Sequence, residues 1–357
     1  MTIIARALRS SPTAAEKAAG QGKLLELWLE IGPACHLHCD FCFNGNGGQD
    51  GSLVEDLLTV QDYRRVISEF HGLGGRCLGI PGNGEPFHPS NQATTMGVVR
   101  FASDLGIRVN IFTSGDLLNK ETVDELRLLG VSVSLKWNSF CASVQDRLVG
   151  SPEYTQRRGQ AFGLLRQHGF NQPDAAGVSC LAFVNSIMPG VNDGEIVEFY
   201  RYCRENGIVP DIDTLLPFGR ASQMSADEIA VIDRVAGELR WLDSGLGIEW
   251  PGEFLTYVGS LCDRCHHHLY VDCFGRVSSC LGANKRGAHI GNVKTGSLST
   301  AWRSPLMHNI RARRYTGRCS VCVKFLDGRC NSCLGRFASA IGPHVVETTG
   351  CWKFERA

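Results

Sequence analysis

The sequence predicts an α/β protein: six βα units whose parallel sheet closes only partway into a barrel, followed by a smaller cysteine-rich region. Three observations predict it. Short apolar runs alternate with amphipathic segments across residues 24–215, the pattern of βα units on a parallel sheet. Six such units in roughly 190 residues are fewer than the eight of a closed barrel. The sixteen cysteines are also unevenly spread. Three stand at Cys35, Cys39 and Cys42 and nine from Cys262 to Cys351, with only Cys77, Cys141, Cys180 and Cys203 between them.

Taken in order, strands are expected at 25–31, 77–80, 108–112, 131–135, 178–184 and 208–212. Helices are expected at 59–71, 92–105, 119–129, 153–168 and 193–206. Catalytic loops in such a sheet belong at the carboxyl ends of the strands. The alternation stops near Pro217, where Leu216-Pro217-Phe218-Gly219-Arg220 reads as a connector before a helix at 226–241. From Leu261 the chain is rich in Cys, Gly and turns, with a hairpin at 269–271 and 276–279 around a turn at 272–275. The domains expected are a tail (1–23), the βα core (24–215), a linker with its helix (216–254) and the cysteine-rich domain (255–357).

The 357 residues hold 36 Lys+Arg and 36 Asp+Glu, so net charge is zero and electrostatics point to neither a nucleic-acid nor a membrane partner. Arg311, Arg313, Arg314 and Arg318 read as a solvated face. No apolar run approaches the roughly eighteen residues of a membrane helix. Residues 1–22 show no signal-peptide hydrophobic region, so a cytoplasmic location is expected. In that reducing compartment so many cysteines point to metal ligands or catalytic groups rather than disulfides.

Cys35-His36-Leu37-His38-Cys39-Asp40-Phe41-Cys42 is a C-x3-C-x2-C motif placed directly after the first expected strand. A [4Fe–4S] cluster normally takes four thiolates, so three leave one iron open to a substrate. A lone C-x2-C would fit zinc as well, but this spacing after a strand is far more specific. Gly82-Asn83-Gly84-Glu85-Pro86 follows the second strand, where glycines permit close backbone approach and carbonyls or Glu85 can accept from an ammonium.

The motif, with aromatic Phe41 before its last Cys, resembles the radical SAM superfamily over about residues 24–215. The resemblance implies that Cys35, Cys39 and Cys42 ligate a [4Fe–4S] cluster whose open iron is chelated by S-adenosylmethionine (SAM). Reductive cleavage of SAM then yields a 5′-deoxyadenosyl radical. It further implies that Phe41 packs near the adenine, that the Gly82, Asn83, Gly84 and Glu85 loop receives the SAM amino group, and that Ser114 meets the ribose or carboxylate. Asn83 stands where relatives have Gly, and Lys136 where many have Asp. The Arg that binds the SAM carboxylate in relatives is replaced by Val149, so Lys136 or Arg147 is expected to substitute.

The second group runs Cys262-x2-Cys265-x14-Cys280, then Cys319-x2-Cys322-x7-Cys330-x2-Cys333-x17-Cys351. Paired C-x2-C units would ordinarily suggest zinc ribbons. With His289-Ile290-Gly291-Asn292-Val293 and Trp302, however, the region resembles the SPASM extension of radical SAM enzymes over about 255–355. That resemblance implies one auxiliary [4Fe–4S] cluster on Cys262, Cys265, Cys280 and Cys333, and a second on Cys319, Cys322, Cys330 and Cys351. Cys273 reads as a turn residue and His266, His267 and His268 as mostly surface. Cys77, Cys141, Cys180 and Cys203 read as small core residues.

Families with this extension modify either ribosomal peptides or small molecules such as sugars and aminocyclitols. Only about two dozen residues precede the first strand, which favours a small polar substrate (sugar, aminocyclitol or nucleoside-like) in natural-product or antibiotic biosynthesis. The expectation is a radical SAM oxidoreductase, chiefly a dehydrogenase that sends the leftover electron to an auxiliary cluster. A flavodoxin- or ferredoxin-type donor would reduce it. Epimerisation, decarboxylation and maturation of a peptide or protein remain open, as does an electron-transfer protein without catalysis.

Overall fold

Strand and helix alternate as the apolar periodicity predicts. The structure, a computed structural model, describes residues 4–5, 17–18, 20–44, 56–175, 177–216, 218–222, 226–250, 262–342 and 346–357. Its principal elements begin β1 (Glu26–Leu29), α1 (Val60–Gly72), β2 (Cys77–Ile80), α2 (Pro89–Asp104), β3 (Arg108–Thr113), α3 (Lys120–Leu128) and β4 (Ser132–Lys136). They continue α4 (Ala142–Val149), α5 (Tyr154–Gln167), β5 (Leu181–Ile187), α6 (Ile196–Glu205), β6 (Val209–Thr214) and α7 (Ala226–Gly245). The fold class is thus α/β with a mostly parallel sheet. The fifth strand is shifted, because Val178–Ser179 is a separate short strand paired with Ile4–Ala5. The two-turn helix α4 has no counterpart in the sequence reading. Pro217 and the start of the expected cysteine-rich domain (255–261) lie outside the described residues.

The chain divides into two compact units, each of three segments. One comprises Met1–Arg9, Glu30–Val54 and Gly79–Glu249, the other Ser10–Leu29, Glu55–Leu78 and Trp250–Ala357. Compactness therefore groups β1 and α1 with the cysteine-rich region, a division that sequence order alone does not suggest.

In the first unit β3, β4, β5 and β6 pair in parallel in that order. Ile111, Val133, Leu135, Leu181 and Phe183 are fully buried, as expected of parallel strands covered on both faces. Helix α6 turns Ile196, Phe199, Tyr200 and Cys203 inward, a spacing of three, four and seven that makes one apolar stripe. Trp137 stacks on Phe183 at 4.5 Å. The Tyr200 hydroxyl donates to Asp243 of α7 at 2.6 Å, with Arg204 3.1 Å from the same carboxylate. Because the strands run parallel, the loops that leave β3 and β4 emerge at the same end.

In the second unit β1 pairs in parallel with β7 (His268–Val271), which forms an antiparallel hairpin with β8 (Arg276–Ser278). The hairpin turn needs Gly275, whose φ is +84° and whose Cβ would stand 2.8 Å from Asn292 Oδ1. Helix α1 starts on a capping box between Thr59 and Asp62 and buries Tyr63, Val66, Ile67 and Phe70 completely. Three short strands follow: β10 (Thr316–Gly317), β11 (Ala338–Ile341) and β12 (Val346–Thr348), after β9 (Gly291–Asn292) on β8.

Two expectations need correction. His267 and His268 are buried, not surface: His268 opens β7, where its Nδ1 meets the Ser279 carbonyl at 3.1 Å and its ring stands edge-on to Trp28. Cys141 is exposed, because it caps the start of α4 outside the core, whereas Cys77, Cys180 and Cys203 are buried as expected. Cys273 lies in the β7–β8 turn and is also buried. All sixteen cysteines are free of disulfides. Among the described residues no helix is long and apolar enough to cross a membrane.

Candidate active site

The loops after β2, β3 and β4 meet the cysteine segment around one shared cavity. Cys35, Cys39, Cys42 and Phe41 line it, as do Gly82 through Glu85, Ser114 and Lys136. Residues spread over a hundred positions of sequence are thus brought to one wall. Arg147 is not among them: it is exposed on α4. It lies two residues from cavity-lining Val149, and two steps of about 100° turn it to the opposite face of the helix.

Backbone bonds hold the cysteine loop. The amides of His38 and Asp40 donate to the carbonyls of Val149 and Leu148, at 3.0 and 2.9 Å. The Arg220 amide donates to the Cys42 carbonyl at 3.0 Å, and its Nη1 to the Cys39 carbonyl at 2.7 Å. Arg220 was missed by the sequence reading, since nothing in the connector distinguishes it from a solvated arginine. Burial raises the Cys35 thiol, opposed by the nearby Lys136 charge, and pushes Cys39 up to about 12. Cys35 and Cys39 are thus neutral until a metal displaces their protons.

The loop after β2 is shaped by two glycines. Gly82 has φ +67°, and a Cβ there would lie 2.7 Å from the Phe112 carbonyl oxygen. A Cβ on Gly84 would lie 2.4 Å from the Gly32 oxygen and 2.6 Å from that of Ala34. Asn83 between them has ordinary backbone angles, which explains why it can carry a side chain where relatives have Gly. Its Oδ1 is buried without a hydrogen-bond partner. Asn91 Nδ2 braces the approach, donating to the Ala34 and Glu85 carbonyls at 2.9 and 2.8 Å.

Glu85 does not offer a free carboxylate. One oxygen accepts from Thr113 Oγ1 at 2.5 Å and the Phe87 amide at 3.2 Å; the other lies 2.7 Å from both the amide and the hydroxyl of Ser114. A carboxylate has about four acceptor positions, so Glu85 braces the β2 and β3 loops together. Ser114 Oγ also stands 2.8 Å from Asp116, so its single proton lies between two carboxylates and only lone pairs remain. Asp116 joins this wall to the cysteine motif through His36 Nε2 at 2.8 Å. Burial pushes the Asp116 carboxyl up, but bonds from His36 and Ser114 outweigh it and hold it below the usual range. The Tyr154 hydroxyl donates to the Ser114 carbonyl at 2.8 Å. Asp116, Tyr154 and cavity-lining Asn138 were not singled out from sequence, because their roles depend on loops that meet only in the fold. Lys136 donates to the Gly82 carbonyl at 3.3 Å.

In the second unit Cys319, Cys322, Cys330 and Cys351 line one small cavity, and Cys333 does not. Burial lifts Cys330 to about 12 and Cys351 to about 11, and Cys319 and Cys322 lie near both. Burial likewise lifts Cys262 to about 12, and its thiol neighbours are Cys333 and Cys280. A hydrogen bond between Cys265 and Cys280 raises the former and lowers the latter to about 7. Cys333 adjoins both groups, neighbouring Cys262 and Cys265 and packing with Cys330, Cys351 and Phe337.

The donor sets suit clusters. Thiol sets with no histidine among them are the usual ligands of [4Fe–4S] clusters. The glycine cradle and the unpaired Asn83 oxygen suit a ligand carrying an amino group.

Comparison with known proteins agrees with this geometry. The radical SAM superfamily profile matches residues 29–203, and that of the SPASM iron–sulfur cluster-binding domain matches 262–324. The chain belongs to the radical SAM superfamily and carries a SPASM domain. Its cofactors are [4Fe–4S] clusters and SAM. It is 27% identical over 206 residues to the AdoMet-dependent heme synthase of Methanosarcina barkeri, covering 57% of this chain and 54% of that one. It is 29% identical over 131 residues to the PqqA peptide cyclase of Bradyrhizobium diazoefficiens, covering 35% of this chain and 32% of that one. The matches thus span about half and about a third of those proteins. The structure of Streptococcus suis SuiB superposes with a TM-score of 0.64 at 16% identity, covering 90% of this chain and 77% of SuiB, a likeness of fold.

Proposed function

We propose that this radical SAM enzyme takes a hydrogen atom from a peptide or protein substrate, and that the Cys35–Tyr154 cavity is where SAM is bound. The observation that carries the reading is the convergence of three thiols, the Gly82–Glu85 cradle, Ser114 and Lys136 on one wall. Cys35, Cys39 and Cys42 would hold the cluster. Bound together, the cluster and SAM supply a 5′-deoxyadenosyl radical.

The chain's own side chains divide the recognition of SAM by polarity. Asn83 Oδ1 and the loop carbonyls are acceptors, suited to the amino group. Ser114 keeps only lone pairs, which suits a ribose hydroxyl and not a carboxylate. Lys136 is the cation that lines the cavity and so takes the carboxylate that Val149 cannot. Phe41, packed with Leu37 and Val149, offers a flat apolar surface to the adenine.

Two findings favour a peptide over the sugar-like substrate expected from sequence. A curated relative is a peptide cyclase, and the SuiB fold has been seen with its precursor peptide bound. Dehydrogenation of a small polar metabolite is the second reading; a heme synthase among the relatives supports only its small-molecule part. The test is 5′-deoxyadenosine formation by anaerobically reconstituted enzyme, offered in turn a peptide library and a panel of sugars and aminocyclitols. Stimulation above the substrate-free rate by peptides alone supports the first reading, and by the panel alone the second. No 5′-deoxyadenosine under any condition would overturn both.

A further inference from the structure

The chain as a whole is neutral, but its charge is not evenly placed. Residues 311–357 carry nine Lys+Arg against three Asp+Glu, an excess of six positive charges. The fold gathers part of that excess at one place. Arg318, Lys324 and Lys353 line the cavity of Cys319, Cys322, Cys330 and Cys351, and no acid lines it. The C-terminal residues lie along the same edge: Val323 N–H donates to the Glu355 carbonyl, Ala357 N–H to that of Val321, and Arg356 bridges to Cys322. Exposed Arg356 is thereby fixed beside these thiols. Two of the three acids are spent on neighbours, Glu355 on Lys324 at 3.6 Å and Asp327 on Arg329 at 2.8 Å. Val321 and Leu326, 47% and 60% exposed, are the chain neighbours of cavity-lining Cys322 and Phe325.

We propose that this face is the docking surface for an acidic electron-carrier protein of the flavodoxin or ferredoxin class. The proposal rests on the reading that the four thiols beneath it hold a cluster. Positive charge on a rim steers an acidic partner and sets its orientation, and exposed apolar side chains give the contact area that a purely electrostatic site lacks. A nucleic acid would also be drawn by the charge, but Val321 and Leu326 on the rim offer its phosphates nothing.

The test is binding of purified oxidised flavodoxin to the reconstituted holoenzyme, measured by microscale thermophoresis from low to physiological ionic strength. Wild-type affinity is expected to fall steeply with salt. Arg318→Glu/Arg356→Glu is expected to weaken it tenfold or more. Arg100→Glu/Lys120→Glu, a charge reversal of equal size in the other unit, is expected to leave it unchanged. If the first variant loses iron, Arg318→Gln/Arg356→Gln replaces it, with at least a threefold loss expected. Equal affinity in wild type and the rim variants would overturn the proposal. So would a single-stranded RNA oligonucleotide that binds more tightly than flavodoxin and displaces it. SAM cleavage driven by dithionite, which needs no carrier, is run on the same samples. Its absence in wild type would count against the proposed activity, while the binding result still decides the docking surface.

Discussion

At the scale of single residues the cavity wall is set by what a Cβ atom would strike. At Gly84 it would meet two carbonyl oxygens closer than 2.7 Å, and backbone cannot swing aside as a side chain can. Gly84→Ala is therefore expected to weaken SAM binding at least tenfold at unchanged iron content, with a strain of ~1–3 kcal/mol. Asn83→Gly, which enters no clash, should bind SAM within about threefold of wild type; equilibrium dialysis reads both, and equal affinities would refute the steric account. The same assay separates two cations. Lys136→Met is expected to cost ten- to hundredfold in SAM affinity, whereas exposed Arg147→Ala should cost nothing. Cysteine spacing and the glycine pair were legible in the sequence because ligand geometry and backbone clearance leave few alternatives. The occupied lone pairs of Glu85 were not, since its donors Thr113 and Ser114 stand on the next strand. Nor was the choice between Lys136 and Arg147, which depends on which way α4 turns.

At the scale of elements the cysteine loop is a segment without secondary structure held by its neighbours. Its straps are the end of α4 and Arg220. Arg220→Ala leaves the backbone bond to Cys42 and removes the side-chain bond to Cys39, an exposed contact worth about 1 kcal/mol. The expected result is a cluster that bleaches several-fold faster in air, followed by its visible absorbance, with thermal unfolding of the first unit unchanged. Bleaching at the wild-type rate would show that the α4 strap suffices. Periodicity made the six strands and most helices legible, because parallel strands buried on both faces read as short apolar runs. Helix α4 escaped because two turns are too short to show a period, and because Gln145, one of its three buried residues, is polar. The burial of His267 and His268 escaped for another reason: a polar run next to cysteines carries no mark of the strand pairing between β7 and β1.

At the scale of the whole chain the two units differ in what holds them. The first has long parallel strands and an aromatic core around Trp137 and Phe183 that needs no metal. In the second, β10, β11 and β12 have two, four and three residues. Cys319, Cys322, Cys330 and Cys333 themselves are 7–8% exposed, so the residues proposed to hold clusters form part of the interior there. Ligand bonds formed only in the folded state contribute directly to folding. Removing iron by anaerobic chelation is therefore expected to abolish amide-exchange protection in Thr316–Gly317 and Val346–Thr348, while β3 to β6 keep theirs. The Cys35→Ala/Cys39→Ala/Cys42→Ala variant should leave protection in both units intact. It should carry about eight irons per chain in place of about twelve, at four per cluster, with full protection in the second unit. Protection that survives chelation would mean that the short strands and the packing of Phe337 against Trp352 suffice without metal. About four irons with zinc in the remainder would make the second unit a zinc-stabilised module, and the case for electron transfer through it would fall.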